Sequence, residues 1–257
     1  LGRLFFVQLN GTNEYLKTEE PFSNATQLTV ESWINLNSYQ PTGSEVGIVV
    51  SSGGSQASPY LGSLEGAWML YLKDGKYPAF RAREINARGT NGYLGTVVAY
   101  EHDMLSVASD ASPLAAIHAE NWVHIAATVK DNIIKLYVNG EMVDSYTNTN
   151  ATDIRMMTSE HPIWIGVNPN TRIEADDYLH AGVKGVKVWR VALSQDQIRT
   201  NAAGVVDPTN VSGTGDIKKG LQLYYTFEGN SRDAASETQF QFGNEALLNY
   251  INGALSS

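Results

Sequence analysis

Two tight turns between Trp122 and Tyr146 constrain this chain more than any other feature of its sequence. The run Trp122-Val123-His124-Ile125-Ala126-Ala127-Thr128-Val129 is followed by Asp131-Asn132, then Ile133-Ile134-Lys135-Leu136-Tyr137-Val138, then Asn139-Gly140. A two-residue hairpin loop asks for left-handed φ at its central positions, which Asn and Gly tolerate best, so Asn-Gly between two alternating runs predicts a hairpin. With Asp131-Asn132 just upstream, the stretch predicts a three-stranded antiparallel meander. Similar runs recur at Leu4–Leu9, Gln27–Leu36, Val46–Ser51, Trp68–Lys73, Ala79–Arg83, Leu94–Tyr100, Pro162–Val167, Val183–Arg190 and Leu221–Phe227, and Asp74-Gly75 marks another hairpin turn. Roughly a dozen strands with no ten-residue helical pattern between them predict an all-β, two-sheet antiparallel sandwich, not a parallel βαβ sheet.

Two segments look helical. Ser194 with Gln197 three residues on has capping-box spacing, which predicts a short cover helix after the Val183–Arg190 strand. Asn244–Leu255 places Leu247, Leu248, Ile251 and Leu255 on one face, which predicts a C-terminal helix that docks on something. The expected organisation is a sandwich over residues 1–230 and a C-terminal extension over 231–257, docked on its own or a neighbouring subunit. The stretches 42–62, 106–120 and 201–219 read as long surface loops of the kind kept for recognition.

Composition narrows the function classes. With 18 Lys and Arg against 27 Asp and Glu, the net charge of −9 leaves no basic stripe for nucleic acid or an anionic membrane surface. There is no Cys, which excludes disulfides, thiolate metal sites and a Cys nucleophile. No apolar run approaches the ~18–20 residues of a membrane helix, so membrane insertion is not expected. A start at Leu1 fits an excised segment of a longer protein.

Several pieces occur in a shared order: Phe6-Val7-Gln8-Leu9-Asn10-Gly11, Leu28-Thr29-Val30-Glu31-Ser32-Trp33-Ile34, Trp68-Met69-Leu70-Tyr71-Leu72, Trp122-Val123-His124-Ile125, Leu136-Tyr137-Val138-Asn139-Gly140, Ile163-Trp164-Ile165-Gly166 and Gly185-Val186-Lys187-Val188-Trp189. In this order the chain resembles the laminin-G-like, pentraxin-like branch of the concanavalin A-like jelly-roll domains. The resemblance implies a lectin-like sandwich and, in relatives that use it, a rim calcium. Where that family often has Asp-Glu before its penultimate strand, this chain has Lys184-Gly185, a cation in place of a ligand.

The laminarinase-like enzymes of the same architecture need two carboxylates flanking the glycosidic bond. Glu101-x-Asp103 and Glu174-x-Asp176 each lack the second Glu, so no catalytic residue is assigned and the chain is not expected to be an enzyme. The His residues show no metal spacing, and His124 reads as a packed, hydrogen-bonded residue. Glu174, Asp176 and Asp177 form the densest acidic cluster, read first as a solvated turn and otherwise as the place for a calcium ion. Trp33, Trp68, Trp122 and Trp189 are expected in the core. Tyr39, Tyr60, Tyr93, Tyr100 and Tyr178 fall in or beside loops, where a flat ring can stack on a sugar or a partner side chain. The expected function is a recognition or adhesion module at an extracellular, cell or virion surface, contacting glycan or protein, with homo-oligomeric or head-to-tail assembly open. The alternative is an architectural subunit of a phage particle, surface layer or filament.

Overall fold

In the computed structural model the described residues are 6–21, 26–36, 46–52, 68–85, 91–104, 122–150, 155–156, 162–167, 178–204, 220–225, 227 and 240–242. They form fifteen strands and one helix in two sheets. The first sheet holds β1 (Val7–Gln8), β3 (Gln27–Asn35), β8 (Trp122–Lys130), β9 (Ile133–Val138), β10 (Glu141–Thr147), β13 (Gly182–Trp189) and β14 (Leu221–Tyr225). Its order is β1-β13-β3-β8-β9-β10, with β14 also beside β13. The second holds β2 (Leu16–Pro21), β4 (Val46–Ser52), β5 (Trp68–Lys73), β6 (Tyr77–Ile85), β7 (Asn91–Val98), β11 (Arg155–Met156), β12 (Pro162–Ile165) and β15 (Phe240–Phe242). There the order is β11-β6-β5-β4-β12-β2-β15, with β7 along β6.

Strand periodicity makes the core. On β3 Leu28, Val30 and Ile34, on β8 Val123, Ile125 and Val129, and on β13 Val183, Val186 and Val188 point to one side and meet Trp68, Leu70, Leu72 and Phe80 of the facing sheet. Burying each such side chain contributes about 1.5–3 kcal/mol. The predicted meander is present. Val138 pairs with Glu141 across Asn139 (φ 49°) and Gly140 (φ 84°), and Lys130 pairs with Ile133 across Asp131 (φ 54°). Asn139 Oδ1 also accepts from the His124 amide at 3.0 Å, tying the turn back to β8.

At the edge where β10 approaches β7, the Val98 amide donates to Asp144 Oδ2 at 2.9 Å and Asn148 Nδ2 donates to the Leu94 carbonyl at 3.0 Å. These side chains stitch the two sheets where no ladder runs between them. A Cβ on Gly95 would clash with the edge of the Tyr146 ring, so a side chain there would have to displace that ring.

The predicted helix is α1 (Gln195–Ala202), with Ser194 as N-cap and the reciprocal Ser194–Gln197 capping box formed. It lies on the outer side of the first sheet, where Ala126, Tyr137, Trp189, Leu193 and Ile198 form a second apolar cluster. The predicted C-terminal helix over 244–255 lies outside the described residues. From the 231–257 extension, β15 is described, and it pairs with β2 of the same chain. Trp33, Trp68, Trp122 and Trp189 are all buried, as expected.

Candidate functional site

Because alternate residues of β3, β8, β9 and β13 face the core, the others project onto the outer side of the first sheet: Glu31 and Trp33, His124 and Thr128, Lys135 and Tyr137, Lys184 and Lys187. Register then decides which of them meet. Lys187 pairs with Glu31 across β13 and β3, and His124 with Trp33 across β8 and β3. Glu31 is fully buried. Its Oε1 accepts from Asn201 Nδ2 on α1 at 2.7 Å and from Trp189 Nε1 at 3.3 Å, and lies 3.2 Å from Lys187 Nζ. Its Oε2 lies 3.3 Å from His124 Nε2, with neither atom in hydrogen-bond geometry.

Burial alone would raise the Glu31 pKa. The charge of Lys187, helped by the close approach of the His124 ring, outweighs it and holds the carboxyl at about 2. Burial lowers His124 below its usual range, against the opposing pull of Glu31, so the imidazole is neutral beside an ionised carboxylate. His124 was expected to be packed and hydrogen-bonded; it is packed, but neither ring nitrogen makes a hydrogen bond, because the ring meets Glu31 out of hydrogen-bond geometry. A carboxylate closed off in this way cannot reach a polysaccharide. It fastens α1 to the sheet through Asn201.

Helix α1, so fastened, forms one wall of a groove of about 580 Å³. The floor is the outer face of the β8–β9 hairpin, with Thr128, Lys130, Asp131, Ile133, Lys135 and Tyr137. The wall is Ala192, Leu193, Ser194, Gln195 and Gln197. The wall is held in place before any ligand arrives. Thr29 Oγ1 donates to the Val191 carbonyl at 2.7 Å and accepts from the Leu193 amide at 2.9 Å, while Gln27 Oε1 accepts from the Ala192 amide at 3.2 Å. Tyr137 is 2% exposed, so its ring is floor and not a stacking face. Burial pushes its hydroxyl above the usual range, against a hydrogen bond with Thr128, and keeps it protonated.

The expected binding residues are distributed differently. Tyr100 is 58% exposed and packs edge-on against Tyr77 with ring centroids 5.5 Å apart, beside the Lys76–Asp103 ion pair at 3.4 Å. It lies next to the β5–β6 turn of the second sheet, apart from the groove. Tyr178 is half-buried. Tyr93 lies on β7 opposite Arg83. Tyr39, Tyr60 and the acidic cluster Glu174, Asp176 and Asp177, with the calcium expected there, lie outside the described residues. Among the described residues no three His, Asp or Glu side chains gather as a metal site. Lys184, noted as a cation where relatives carry calcium ligands, sits over Trp122 at 4.1 Å from the ring centroid. Asp103 is committed to Lys76, and Glu101 lies in the turn after β7 and not on a strand. Also among the described residues, no helix is long and apolar enough to cross a membrane.

None of the groove residues was singled out from sequence as a binding residue, Ser194 and Gln197 reading there only as a capping box. The available signal was the alternation that sets Thr128 and Lys130 on the same face as Lys135 and Tyr137, combined with the capping box that starts a helix at Ser194.

Two stacked antiparallel sheets with an outer helix after the penultimate long strand define a lectin-like jelly-roll sandwich. The chain belongs to the concanavalin A-like lectin/glucanases superfamily, whose laminin-G-type family model matches residues 10–199. Among solved structures it is similar to a candidate carbohydrate-binding protein from Bacteroides ovatus, with TM-score 0.59 and 18% identity over 94% of this chain. The match spans 58% of that longer chain. It is also similar to the heptameric SAP-like pentraxin of Limulus polyphemus, with TM-score 0.52 and 15% identity over 94% of this chain and 95% of that one. At these identities the likeness is one of fold. No curated protein sequence matches the chain.

Proposed function

We propose that the chain is a non-enzymatic recognition module that binds glycan in the groove between the β8–β9 hairpin and α1. The observation that carries this is the groove itself. Its volume, about 580 Å³, falls within the roughly 300–1,000 Å³ of ligand clefts. Its lining sets the hydroxyl and amides of Ser194, Gln195 and Gln197 beside the apolar surface of Ile133, over a floor of largely buried Thr128 and Tyr137, the mixture that a sugar ring with its hydroxyls and C–H face requires. Its wall is fixed by the Thr29 and Gln27 hydrogen bonds, which lowers the ordering cost of binding. The description of the Bacteroides ovatus protein as carbohydrate-binding points the same way.

Binding is favoured over glycoside hydrolysis because Asp131 is the single carboxylate among the lining residues, and that reaction needs two. An extracellular, cell-surface or virion-surface setting belongs to the same proposal. The test is a glycan array followed by titration calorimetry, with Thr128→Val and Gln195→Ala as groove variants. At least a fivefold weakening in both supports the groove. A blank array, or retained glycans bound equally well by both variants, refutes it.

A further inference from the structure

Among the described residues, no carboxylate forms an ion pair with the two lysines on the floor of the groove, Lys130 and Lys135. Thr128 pairs with Lys135 and Lys130 with Ile133, so the two lysines are diagonal neighbours on one face, roughly 7–8 Å apart along the sheet. Both line the groove. The nearby carboxylates of the α1 side are already engaged: Glu141 is held by Arg199 through two bonds of 2.8 Å, and Asp196 lies 3.3 Å from the same guanidinium. Gln195 Nε2 donates to Glu141 at 3.1 Å. Asp131, at the turn, forms no ion pair with either lysine among the described residues. The N-terminus of α1 opens on the same groove through Ser194 and Gln195 and adds the positive end of its dipole. A chain with net charge −9 thus presents two lysines against one aspartate in its groove. Like charges held together on a sheet face repel, and an anion bound between them relieves that repulsion.

We infer that the ligand is an acidic saccharide, one whose uronate carboxylate or sulfate ester lies between Lys130 and Lys135 while its hydroxyls meet Thr128 and the Gln195 and Gln197 amides. This rests on the groove being the glycan site.

The test titrates the full chain with an oligogalacturonide, a chondroitin sulfate oligosaccharide, maltotriose and inorganic sulfate, at low and at moderate salt. The acidic oligosaccharides are expected to bind at least tenfold tighter than maltotriose, to weaken as salt rises, and to lose at least tenfold on Lys130→Gln combined with Lys135→Gln. Lys130→Gln alone, at an exposed position, keeps the test open if the double variant folds poorly, and should lose at least threefold. Maltotriose bound as tightly as the acidic sugars, or lysine variants that bind like the parent, overturns the acidic ligand while leaving the groove as a neutral-glycan site. Sulfate bound as tightly as the saccharides overturns it in favour of a bare anion site. No saccharide bound at all overturns both readings.

Discussion

Replacing Glu31 by Gln keeps the shape of the side chain and removes its charge, leaving Lys187, 3% exposed, with no counter-ion in the interior. Removing one partner of a buried ion pair costs about 3–5 kcal/mol, because the survivor stays desolvated and uncompensated. The folded carboxyl is held at about 2 against an ordinary 4.5, a difference worth roughly 3 kcal/mol of pH-dependent stability. The sign follows from a lowered folded-state pKa. The contribution is present above about pH 4.5 and is lost as pH falls toward 2, with roughly 1 kcal/mol gone by pH 3.5. His124, also lowered, contributes in the same direction, its share eroding as pH falls below the ordinary histidine range near 6.5. Urea denaturation followed by tryptophan fluorescence at pH 7 and pH 3.5 measures both effects. Glu31→Gln should be less stable by about 3 kcal/mol or more at pH 7, and its loss on acidification should be smaller than the parent's by roughly 1 kcal/mol. Lys187→Met added to Glu31→Gln should recover most of the pH 7 loss. Equal stability of Glu31→Gln and the parent at pH 7, with identical acid sensitivity, would show that the cluster does not fasten α1 as described.

Gly140→Ala should destabilise by at least 2 kcal/mol, since φ +84° costs a side chain about 1–2 kcal/mol and the new Cβ would stand 2.9 Å from the Arg199 Cα. A melting temperature lowered by about 4–8 °C is the expected readout. Gly95→Ala should open the β7–β10 edge by displacing Tyr146, seen as faster hydrogen exchange at the Val98 amide, and unchanged exchange there would count against the closure. Phe80→Ala, deep in the sandwich, should cost about 3–5 kcal/mol in chemical denaturation. Tyr100→Ala should change stability by under about 0.5 kcal/mol and leave glycan affinity within threefold, whereas a large loss of affinity would move the site from the groove to the Tyr77–Tyr100 corner.

What the sequence disclosed followed the range of each interaction. The meander from Trp122 to Tyr146 was legible because Asn139-Gly140 meets a demand made by its own φ angles, and the Ser194–Gln197 box because its bonds close within one helical turn. The strand β2 was missed because Leu-Lys-Thr-Glu-Glu-Pro alternates too weakly to mark a face, and β15 because three residues show no period. Glu31, His124 and Lys187 each read as ordinary strand residues. They become a site through the registers of β3 with β8 and β13, which join positions far apart in sequence. The groove escaped notice for a related reason: its floor and wall come from two segments with the β10–β13 stretch of chain between them. Tyr100, expected as a binding platform, is exposed, but exposure of one ring does not make a concave surface.

The partner of β1 on the first sheet is β13, more than half the sequence later, and β2 on the second waits for β12 and then β15. A chain emerging from the ribosome therefore carries its first two strands with no ladder to join, and each sheet is completed by strands made late. Synthesis and pairing run in nearly opposite order at these edges, whereas the middle hairpins are local in sequence and can form as soon as they are made.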